Sequence, residues 1–489
     1  MDASLNSRVR SGVAWNTFSV ASTYLAGLVR SIVMARLLMP ADFGLIGMAQ
    51  TVLTGLAALT SIGLEISVIR TQFKNDAELS THLDTIWTVD LVRRVVLAVL
   101  LAVLAYPAAK FYREDRLYQI LLLFSLLPFI QGLQNIGLLI YRKQLNFRRL
   151  VWLEVITNFL TVTTTVLLVL WTRNVWSLVL SQLLSAVIAV VLSYIFHPYR
   201  PRLAFDRDAF NLVLRFGKYA VLIGVLGYVM QMADNILVGR LFNAAVLGTY
   251  VIAYNLAVLP IHAIASVIVN VTFPAYAEIS TAELKRLENA FVRVFTTSSL
   301  LLVLTTALLL LLGDEIVILL YGAKWSAAGV ILRILALLVF CRGISVLISP
   351  LLVSIRGNAP DAKIKLVEAA TFLALLYPLT RNWGPVGAAW AGAIAFFITM
   401  VNRLYFVSRL LPDIATTILR TVLSGIVATG VGVALGALAI LRIEAVAGRL
   451  LAGGSAIAIG VTGVMLLSSP ELRNELSQLF ASVRARAKA

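Results

Sequence analysis

Apolar stretches of about 20 residues recur from one end of the chain to the other, each followed by a short polar segment. A helix needs about 20 apolar residues to cross a hydrocarbon core about 30 Å thick, so each stretch predicts one membrane span. The fourteen spans are predicted near residues 12–38, 42–68, 84–107, 117–140, 150–171, 175–196, 213–241, 245–271, 291–312, 326–350, 364–380, 385–407, 418–441 and 446–468. One of these stretches is short (364–380) and another is charged (84–107), so twelve or thirteen spans also fit the pattern.

The composition agrees with this pattern and excludes a soluble protein. Hydrophobic residues make up 60% of the chain and charged residues 13%, and the mean hydropathy is +0.92. A soluble domain of this length needs a far more polar surface. The net charge of +17 does not indicate nucleic-acid binding, because most Lys and Arg residues lie in the short segments between apolar stretches, as in membrane proteins.

Sequence motifs for catalysis or metal binding are missing. The single cysteine excludes a disulfide framework, and the three histidines lack metal-ligand spacing. The chain has neither a nucleophile elbow nor a glycine-rich phosphate-binding motif. The sequence therefore predicts neither an enzyme nor a metal site. No cleavage site for a signal peptide precedes the second span, so the first apolar stretch is predicted to be retained.

The distribution of Lys and Arg predicts the orientation in the membrane. With the N-terminus in the cytoplasm, the segments assigned to that side hold 22 of these residues, and those assigned to the other side hold ten. Cytoplasmic segments of membrane proteins are enriched in Lys and Arg, so both termini are predicted to be cytoplasmic.

Two turns between spans, 204 residues apart, have similar sequences. The sequences ARLLMPADFGLIGMA (35–49) and GRLFNAAVLGTYVIA (239–253) share five identical positions, among them Gly44 with Gly248. Equivalent turns therefore lie six spans apart, and an even number gives both repeats the same orientation. Parallel repeats predict two lobes around a cavity that opens alternately to either side.

A second pair of similar stretches supports the repeat and sets the predicted domain boundaries. Arg142 precedes Glu154 by twelve residues, and Arg356 precedes Glu368 by twelve, in the loops after spans 4 and 10. We interpret both pairs as structural ties between a loop and the following helix. The predicted parts are a six-helix lobe (1–204), a second six-helix lobe (205–412), two additional spans (413–470) and a basic cytoplasmic tail (471–489).

Several of these stretches resemble a known family. The runs GLVRSIVMARLLMPADFGLIGMA (27–49), SIGLEISVIRTQ (61–72) and MADNILVGRLFNAAVLGTYVIAYNL (232–256) are similar to the polysaccharide transporters of the multidrug/oligosaccharidyl-lipid/polysaccharide (MOP) superfamily. The resemblance implies an all-α flippase fold in the bacterial inner membrane, with a cationic cavity between two lobes. It also implies transfer of an undecaprenyl-diphosphate-linked oligosaccharide from the cytoplasmic to the periplasmic leaflet.

The resemblance leaves the pathway open. The polymer could be an O-antigen, a capsule or an exopolysaccharide, and a polymerase and glycosyltransferases are the expected protein partners. No cofactor is expected apart from a coupling H+ or Na+. Two rival functions remain: a multidrug or cation antiporter of the same superfamily, and a membrane scaffold that does not transport.

Arginines within the spans are the candidate substrate-binding residues, because a charge in the hydrocarbon region is costly and usually faces a cavity. Arg30 and Arg36 match the six-residue spacing of two first-helix arginines in the peptidoglycan-precursor flippase, and the first span lacks the acidic residue common in drug exporters. Both could instead extend to the membrane surface. The further candidates are Arg93, Arg94 and Arg342. Arg94 could alternatively pair with Asp90, four residues earlier on the same helix face.

The repeat also predicts a gate, and two residues are candidates for ion coupling. Asp234 is the repeat equivalent of Arg30, so we predict an ion pair between them that closes the periplasmic side. Glu65 and His262 are protonatable residues predicted to lie within spans. For both of these, a locally satisfied polar side chain is the alternative.

Overall fold

The protein is described by a computed structural model that covers residues 3–60, 75–144, 146–267, 284–356 and 358–470, together with residues 64, 67, 68, 71, 73, 472 and 473. All regular secondary structure in these residues is helical. The helices are α1 (Ala3–Leu37), α2 (Pro40–Leu59), α3 (Asp76–Tyr112), α4 (Arg116–Phe124), α5 (Leu126–Gly132), α6 (Leu138–Lys143), α7 (Phe147–Thr172), α8 (Val175–Phe196), α9 (Arg207–Leu241), α10 (Ala244–Val267), α11 (Leu284–Tyr321), α12 (Ala327–Arg356), α13 (Asn358–Leu410), α14 (Pro412–Ile440) and α15 (Val446–Ser468). A short 3-10 turn (Ala323–Trp325) precedes α12.

The chain is a multi-pass membrane protein. Within the described residues, ten helical segments are long and apolar enough to cross a bilayer. One of them, Asp361–Leu410, has 50 residues, about twice the length that one crossing needs. It breaks at Gly384, whose φ of 63° lies in the left-handed region that glycine tolerates. The total of fourteen spans stays a prediction.

The fourth predicted span is the one that departs most from a single helix. Residues 117–140 are predicted as one span, whereas the structure has α4, then α5, and then a turn before α6. Pro128 lies in the first turn of α5 and has no N–H to donate to the carbonyl of Phe124. The helix is therefore interrupted at Ser125, and the turn after α5 places polar side chains at the end of the span.

The structure divides into two compact units, Met1–Val251 and Ile252–Ala489. The predicted lobe boundaries remain predictions. In the first unit, the two repeated turns pack against each other through glycine. A Cβ atom added at Gly44 would lie 1.7 Å from the carbonyl oxygen of Ala244, and one at Gly248 would lie 1.9 Å from that of Pro40. Pro40 and Ala244 are themselves 204 residues apart, so the two contacts are one contact with the repeats exchanged.

Close packing also joins the last two helices, α14 and α15, in the second unit. A Cβ atom added at Gly460 would lie 3.2 Å from the Cα of Gly432 and 2.9 Å from a methyl group of Leu435. Small residues such as these glycines allow membrane helices to approach closely.

A buried ion pair joins the two halves of α13 in the second unit, and its hydrogen bonds also reach α12. The Arg403 guanidinium lies 2.7 Å from Asp361 and donates a 2.5 Å hydrogen bond to the carbonyl of Ser345. Ser349 Oγ donates to the same carboxylate over 3.1 Å. Arg403 is 4% and Asp361 is 6% exposed. Both partners of the ion pair are therefore shielded from solvent.

The segment that follows α8 crosses back over the start of α3. Tyr199 Oη donates a 2.6 Å hydrogen bond to Asp84, and the backbone N–H of Asp206 donates to Thr85 Oγ1. His197, which caps α8, accepts a 3.1 Å hydrogen bond from the backbone N–H of Tyr199 at Nδ1. This segment, 197–206, is therefore bound to the first unit through both its backbone and its side chains.

We expect His197 to make the protein less stable in mild acid. Burial lowers the pKa of His197 below its ordinary value, and the nearby Arg149 and Arg200 lower it further. The unfolded chain then binds more protons than the folded chain once the pH falls below about 6.5, so stability is present above that pH and is lost below it. His197→Asn keeps an acceptor for Tyr199 but does not titrate. Thermal unfolding at pH 7.5 and 5.5 should show a smaller acid shift for the variant than for wild type, and equal shifts would contradict this.

Candidate functional site

A cavity of about 760 Å³ lies within the first unit, among α1, α3, α5, α6 and α7. Twelve of the 19 residues that line it carry a polar or charged group, although the helices that form it are largely apolar. The polar residues that line it are Thr23, Trp87, Asp90, Arg93, Arg94, Gln131, Gln134, Asn135, Arg142, Glu154, Thr157 and Asn158. Charged groups among apolar helices are costly unless they are paired or serve a site, so this cavity is the candidate functional site.

Three charged residues of α3, Asp90, Arg93 and Arg94, form one ion-pair group in the cavity wall. One oxygen of Asp90 lies 2.5 Å from Arg93 Nη2, and the other lies 2.7 Å from Arg94 Nε. Spacings of three and four residues place these side chains on one helix face, as the sequence predicts for Asp90 and Arg94. Arg94 both pairs with Asp90 and lines the cavity, so its two predicted roles, in pairing and in substrate binding, do not exclude each other.

The remaining N–H groups of these arginines extend beyond Asp90. Arg93 Nη1 donates to Thr60 at the end of α2, over 3.4 Å to the carbonyl oxygen and 3.3 Å to Oγ1. Arg94 Nη1 donates a 3.0 Å hydrogen bond to Gln131 Oε1 on α5. Both guanidinium groups are thus held in fixed orientations, which favours selective recognition of an anion over a flexible positive charge.

Arg142 and Glu154 add a third cation and a second carboxylate to the cavity. Arg142 lies in the last turn of α6, and Glu154 lies two turns into α7. Ser19 Oγ on α1 donates a hydrogen bond to Glu154 Oε2. The structure therefore ties Glu154 to α1, whereas the sequence suggests a tie to its own loop. Among the described residues that line the cavity, three arginines and two carboxylates give one net positive charge.

Amide side chains complete the polar wall. Asn135 is 2% exposed, and its Nδ2 donates to the carbonyl oxygens of His197 and Tyr199 over 3.2 and 2.7 Å. Asn158 Nδ2 donates to Thr23 Oγ1 over 2.8 Å. These bonds fix the amides between helices. Amides and guanidinium groups together can bind a ligand that has both anionic oxygens and hydroxyl groups.

The predicted gate residues lie in the first unit, outside this cavity. Asp234 is 6% exposed and accepts 2.8 Å hydrogen bonds from Tyr250 Oη and from the backbone N–H of Asn235. Arg30 is half-buried in α1 and Arg36 is exposed at its end. No salt bridge joins Arg30 to Asp234 in the part of the chain that the structure describes. The gate, and the substrate-binding roles of Arg30 and Arg36, stay predictions.

The other predicted site residues are distributed over the second unit and a region outside the described residues. Arg342 on α12 donates a 3.2 Å hydrogen bond to Tyr254 Oη and lies 5.3 Å from the ring centre of Phe396. His262 lies half-buried on α10. Glu65 lies outside the described residues. The roles of Arg342 in substrate binding, and of Glu65 and His262 in ion coupling, stay predictions.

Comparisons with known proteins identify the family and the fold. A family model described as polysaccharide biosynthesis protein matches residues 33–330, and the chain belongs to this family. The lipopolysaccharide biosynthesis protein WzxC of Escherichia coli is 24% identical over 413 residues, which cover 81% of this chain and 80% of WzxC. The succinoglycan biosynthesis transport protein ExoT of Rhizobium meliloti is 24% identical over 67% of this chain and 66% of ExoT.

The solved structures define the fold. The lipid II flippase MurJ, in an inward closed conformation, matches with a TM-score of 0.73 and 15% identity, over 94% of this chain and 99% of MurJ. Transporters of the MOP superfamily match as well. The chain therefore has the all-α MOP fold that the resemblance implies.

The sequence does not reveal the cavity as a unit. Arg93 and Arg94 are recognisable as charges in a span, but Gln131, Gln134, Asn135 and Asn158 have no spacing that links them. They come together because Pro128 ends the fourth span early and the turn after α5 folds toward α3 and α7. The break at Pro128 is the sequence signal that could have indicated a polar end to that span.

Proposed function

We propose that this protein translocates a polyprenyl-diphosphate-linked oligosaccharide from the cytoplasmic to the periplasmic leaflet by alternating access, and that it catalyses no covalent reaction. The observation that carries the proposal is the arginine-lined cavity within a membrane-spanning unit. The family description, the transport function named for ExoT and the lipid II flippase fold support the same substrate class.

The physical reason lies in the cost of moving the diphosphate. A diphosphate diester carries two negative charges near neutral pH, and an unpaired charge in hydrocarbon costs many kcal/mol. Guanidinium groups offset that cost with charge-assisted, bidentate hydrogen bonds to phosphate oxygens. The amide side chains that line the same cavity suit the hydroxyl groups of the attached sugars.

The surroundings of the transporter follow from the same proposal. We place it in a bacterial inner membrane with both termini in the cytoplasm, so that the cavity opens in the cytoplasmic half. Transport is driven by H+ or Na+, and the polymer is an O-antigen, a capsule or an exopolysaccharide. A polysaccharide polymerase and glycosyltransferases are the proposed partners on the two sides of the membrane.

The rival functions have weaker support. A multidrug or cation antiporter of the same fold would bind cations, which a cavity with three arginines and one net positive charge repels. A scaffold for polysaccharide assembly would need no costly charges inside its spans. The lipid-linked oligosaccharide is therefore the favoured substrate.

A leaflet assay tests the proposal. Purified protein is reconstituted in vesicles with a labelled undecaprenyl-diphosphate oligosaccharide, and the fraction exposed on each leaflet is followed over time. We expect wild type to equilibrate the lipid and Arg142→Gln to slow this at least tenfold, a change of about 1.4 kcal/mol in the barrier, because one cavity cation is lost. Arg30→Ala tests the predicted first-span arginine in the same assay.

Arg116→Gln is the matched control, because Arg116 lies at an exposed outer turn and pairs with Glu114. It should flip the lipid at the wild-type rate. Equal flipping rates for Arg142→Gln and Arg116→Gln would mean that the cavity is not part of the transport path. Failure of wild type with lipid from the native strain, at full incorporation into the vesicles, would favour the antiporter or the scaffold.

A further inference from the structure

A second groove in the first unit lies among α2, α3 and α9, and it is apolar where the first cavity is polar. Its volume is about 490 Å³, within the range of about 300–1,000 Å³ that is common for ligand cavities. None of the 14 residues that line it has a charged or amide side chain. Two of them, Leu59 and Phe111, are 58% and 45% exposed, so the groove is open to the surface of the unit.

The length of the groove fits one hydrocarbon chain of a phospholipid. Its lining residues on α9 run from Val225 to Ile236, which is about 16 Å at 1.5 Å per residue. Each leaflet supplies about half of a hydrocarbon core about 30 Å thick, so a phospholipid chain has nearly the same length. The undecaprenyl chain of the proposed substrate is several times longer. The groove therefore suits a phospholipid better than the transported lipid.

A cation lies at one end of the groove, on the groove face of α9. Arg240 follows Ile236 by four residues, which places both on one side of the helix. Its guanidinium lies 5.4 Å from the ring centre of Phe111, which lines the groove from α3. In the part of the chain that the structure describes, Arg240 makes no salt bridge. A guanidinium held in this way can bind a phosphate at the end of the groove.

The turn after α3 adds positive charge at the same end. Residues 110–116 hold three basic and two acidic residues, and Arg116 pairs with Glu114. Lys110, Arg113 and Arg240 then face only the charge of Asp115. In the predicted orientation this end is periplasmic, where membrane proteins carry few Lys and Arg, so orientation does not account for these charges. An anionic lipid headgroup complements them.

Two tyrosine hydroxyls offer hydrogen-bond donors inside the groove. Tyr112 and Tyr228 line it, and among the described residues neither hydroxyl bonds to another protein group. Gly55 leaves room for one of them, because a Cβ atom added there would lie 2.8 Å from Tyr228 Oη. A hydroxyl in apolar surroundings needs an acceptor. The ester carbonyls of a phospholipid are acceptors that enter a membrane groove together with the chain.

We propose that this groove binds one anionic phospholipid, with an acyl chain along α3 and α9 and the phosphate against Arg240. The lipid stays bound as part of the protein's surroundings and is not the transported substrate, so the inference goes beyond the proposed function. The groove shares no lining residue with the polar cavity. An arginine is suited to the phosphate because its planar fork can donate two hydrogen bonds to the phosphate oxygens.

Native mass spectrometry of retained lipid tests the site. Purified protein in detergent is stripped of lipid and incubated with phosphatidylglycerol or with phosphatidylcholine of identical chains. We expect wild type to retain one phosphatidylglycerol at concentrations where phosphatidylcholine is lost, because only the first has a net negative charge. Arg240→Gln should weaken retention about tenfold, since a charge-assisted hydrogen bond is lost. Arg240→Lys keeps the charge and should retain most of the lipid.

Matched variants separate the groove from general effects. Ala108→Phe fills the groove and should abolish retention, whereas Ala102→Phe, on the same helix but outside the lining, should retain the lipid. Arg173→Gln is the control for charge, because Arg173 ends α7 with a positive φ as Arg113 ends α3, and it is exposed and outside the groove. It should bind as wild type does. The Arg240 variants test the site even if Ala108→Phe does not fold.

Each outcome decides the proposal. No retention by wild type, or unchanged retention in Arg240→Gln and Ala108→Phe, would overturn the site. Equal losses in Arg173→Gln and Arg240→Gln would mean that the lipid responds to overall charge, and equal losses in both phenylalanine variants would exclude the groove. Displacement of phosphatidylglycerol by equimolar undecaprenyl diphosphate would assign the groove to the transported lipid. None of these measurements involves flipping, so failure of this site leaves the proposed function standing.

Discussion

Arg403→Met is expected to destabilise the second unit by about 3–5 kcal/mol, because it leaves the buried carboxylate of Asp361 without its main partner. Methionine occupies a similar volume, so little of the loss comes from a cavity. The guanidinium also donates to the Ser345 carbonyl, and this acceptor loses its partner too. The measurement is the midpoint of unfolding in a denaturing detergent, compared with wild type at constant lipid content.

Two further variants show whether the loss comes from an unpaired charge. Arg403→Met combined with Asp361→Leu removes both charges and should recover most of the lost stability, since two apolar groups can replace a buried pair at little cost. Lys365→Met removes the other cation near Asp361, but its side chain is 65% exposed, and we expect a change below about 1 kcal/mol. Equal destabilisation by Lys365→Met and Arg403→Met would contradict the burial argument.

The sequence predicts helices well wherever one apolar stretch forms one span without interruption. The last predicted span, 446–468, coincides with α15, and the span near 175–196 coincides with α8. Charged ends are less predictable: α3 begins eight residues before its predicted span, because Asn75 caps the helix through a hydrogen bond to the N–H of Glu78. A hydropathy pattern contains no information on such caps.

The site is less predictable than the helices because it depends on which helix faces line the same cavity. Arg93 and Arg94 are identified as candidates because a charge in a span is costly, and this signal is local. Glu154 lies near the start of a span, where a carboxylate needs no explanation, and its spacing from Arg142 indicates a structural tie. Its place in the same cavity as the α3 arginines depends on how α1, α3 and α7 are arranged around that cavity, which no spacing reports.

The sequence shows two aligned glycines in the repeated turns, but it does not show why both positions are glycine. In the structure, Gly44 and Gly248 each face a backbone carbonyl of the other repeat. Only glycine lets two helices approach this closely. The repeat thus retains glycine at both positions for one geometric reason, the close crossing of α2 and α10 within the first unit.

Alanine at either glycine is expected to force the two helices apart and to cost about 1–3 kcal/mol of stability. A backbone carbonyl cannot rotate away as a side chain can, so the strain of a Cβ at 1.7 or 1.9 Å is relieved only by separation of α2 from α10. Gly47→Ala is the matched control one turn further along α2. Its Cβ would lie 3.4 Å from a methyl group of Val251, near ordinary contact, and the higher helix propensity of alanine should leave this variant as stable as wild type or more so.

The double variant Gly44→Ala/Gly248→Ala tests whether the two glycines act as one contact. Both Cβ atoms would press on the same crossing, so the separation that accommodates the first also makes room for the second. We therefore expect the double variant to lose clearly less stability than the two single losses added together, with a coupling of about 0.5–3 kcal/mol. Detergent unfolding of wild type, both single variants and the double variant completes this cycle. Additive losses would mean that the two glycines pack independently, and that the 204-residue repeat does not meet at a shared local axis.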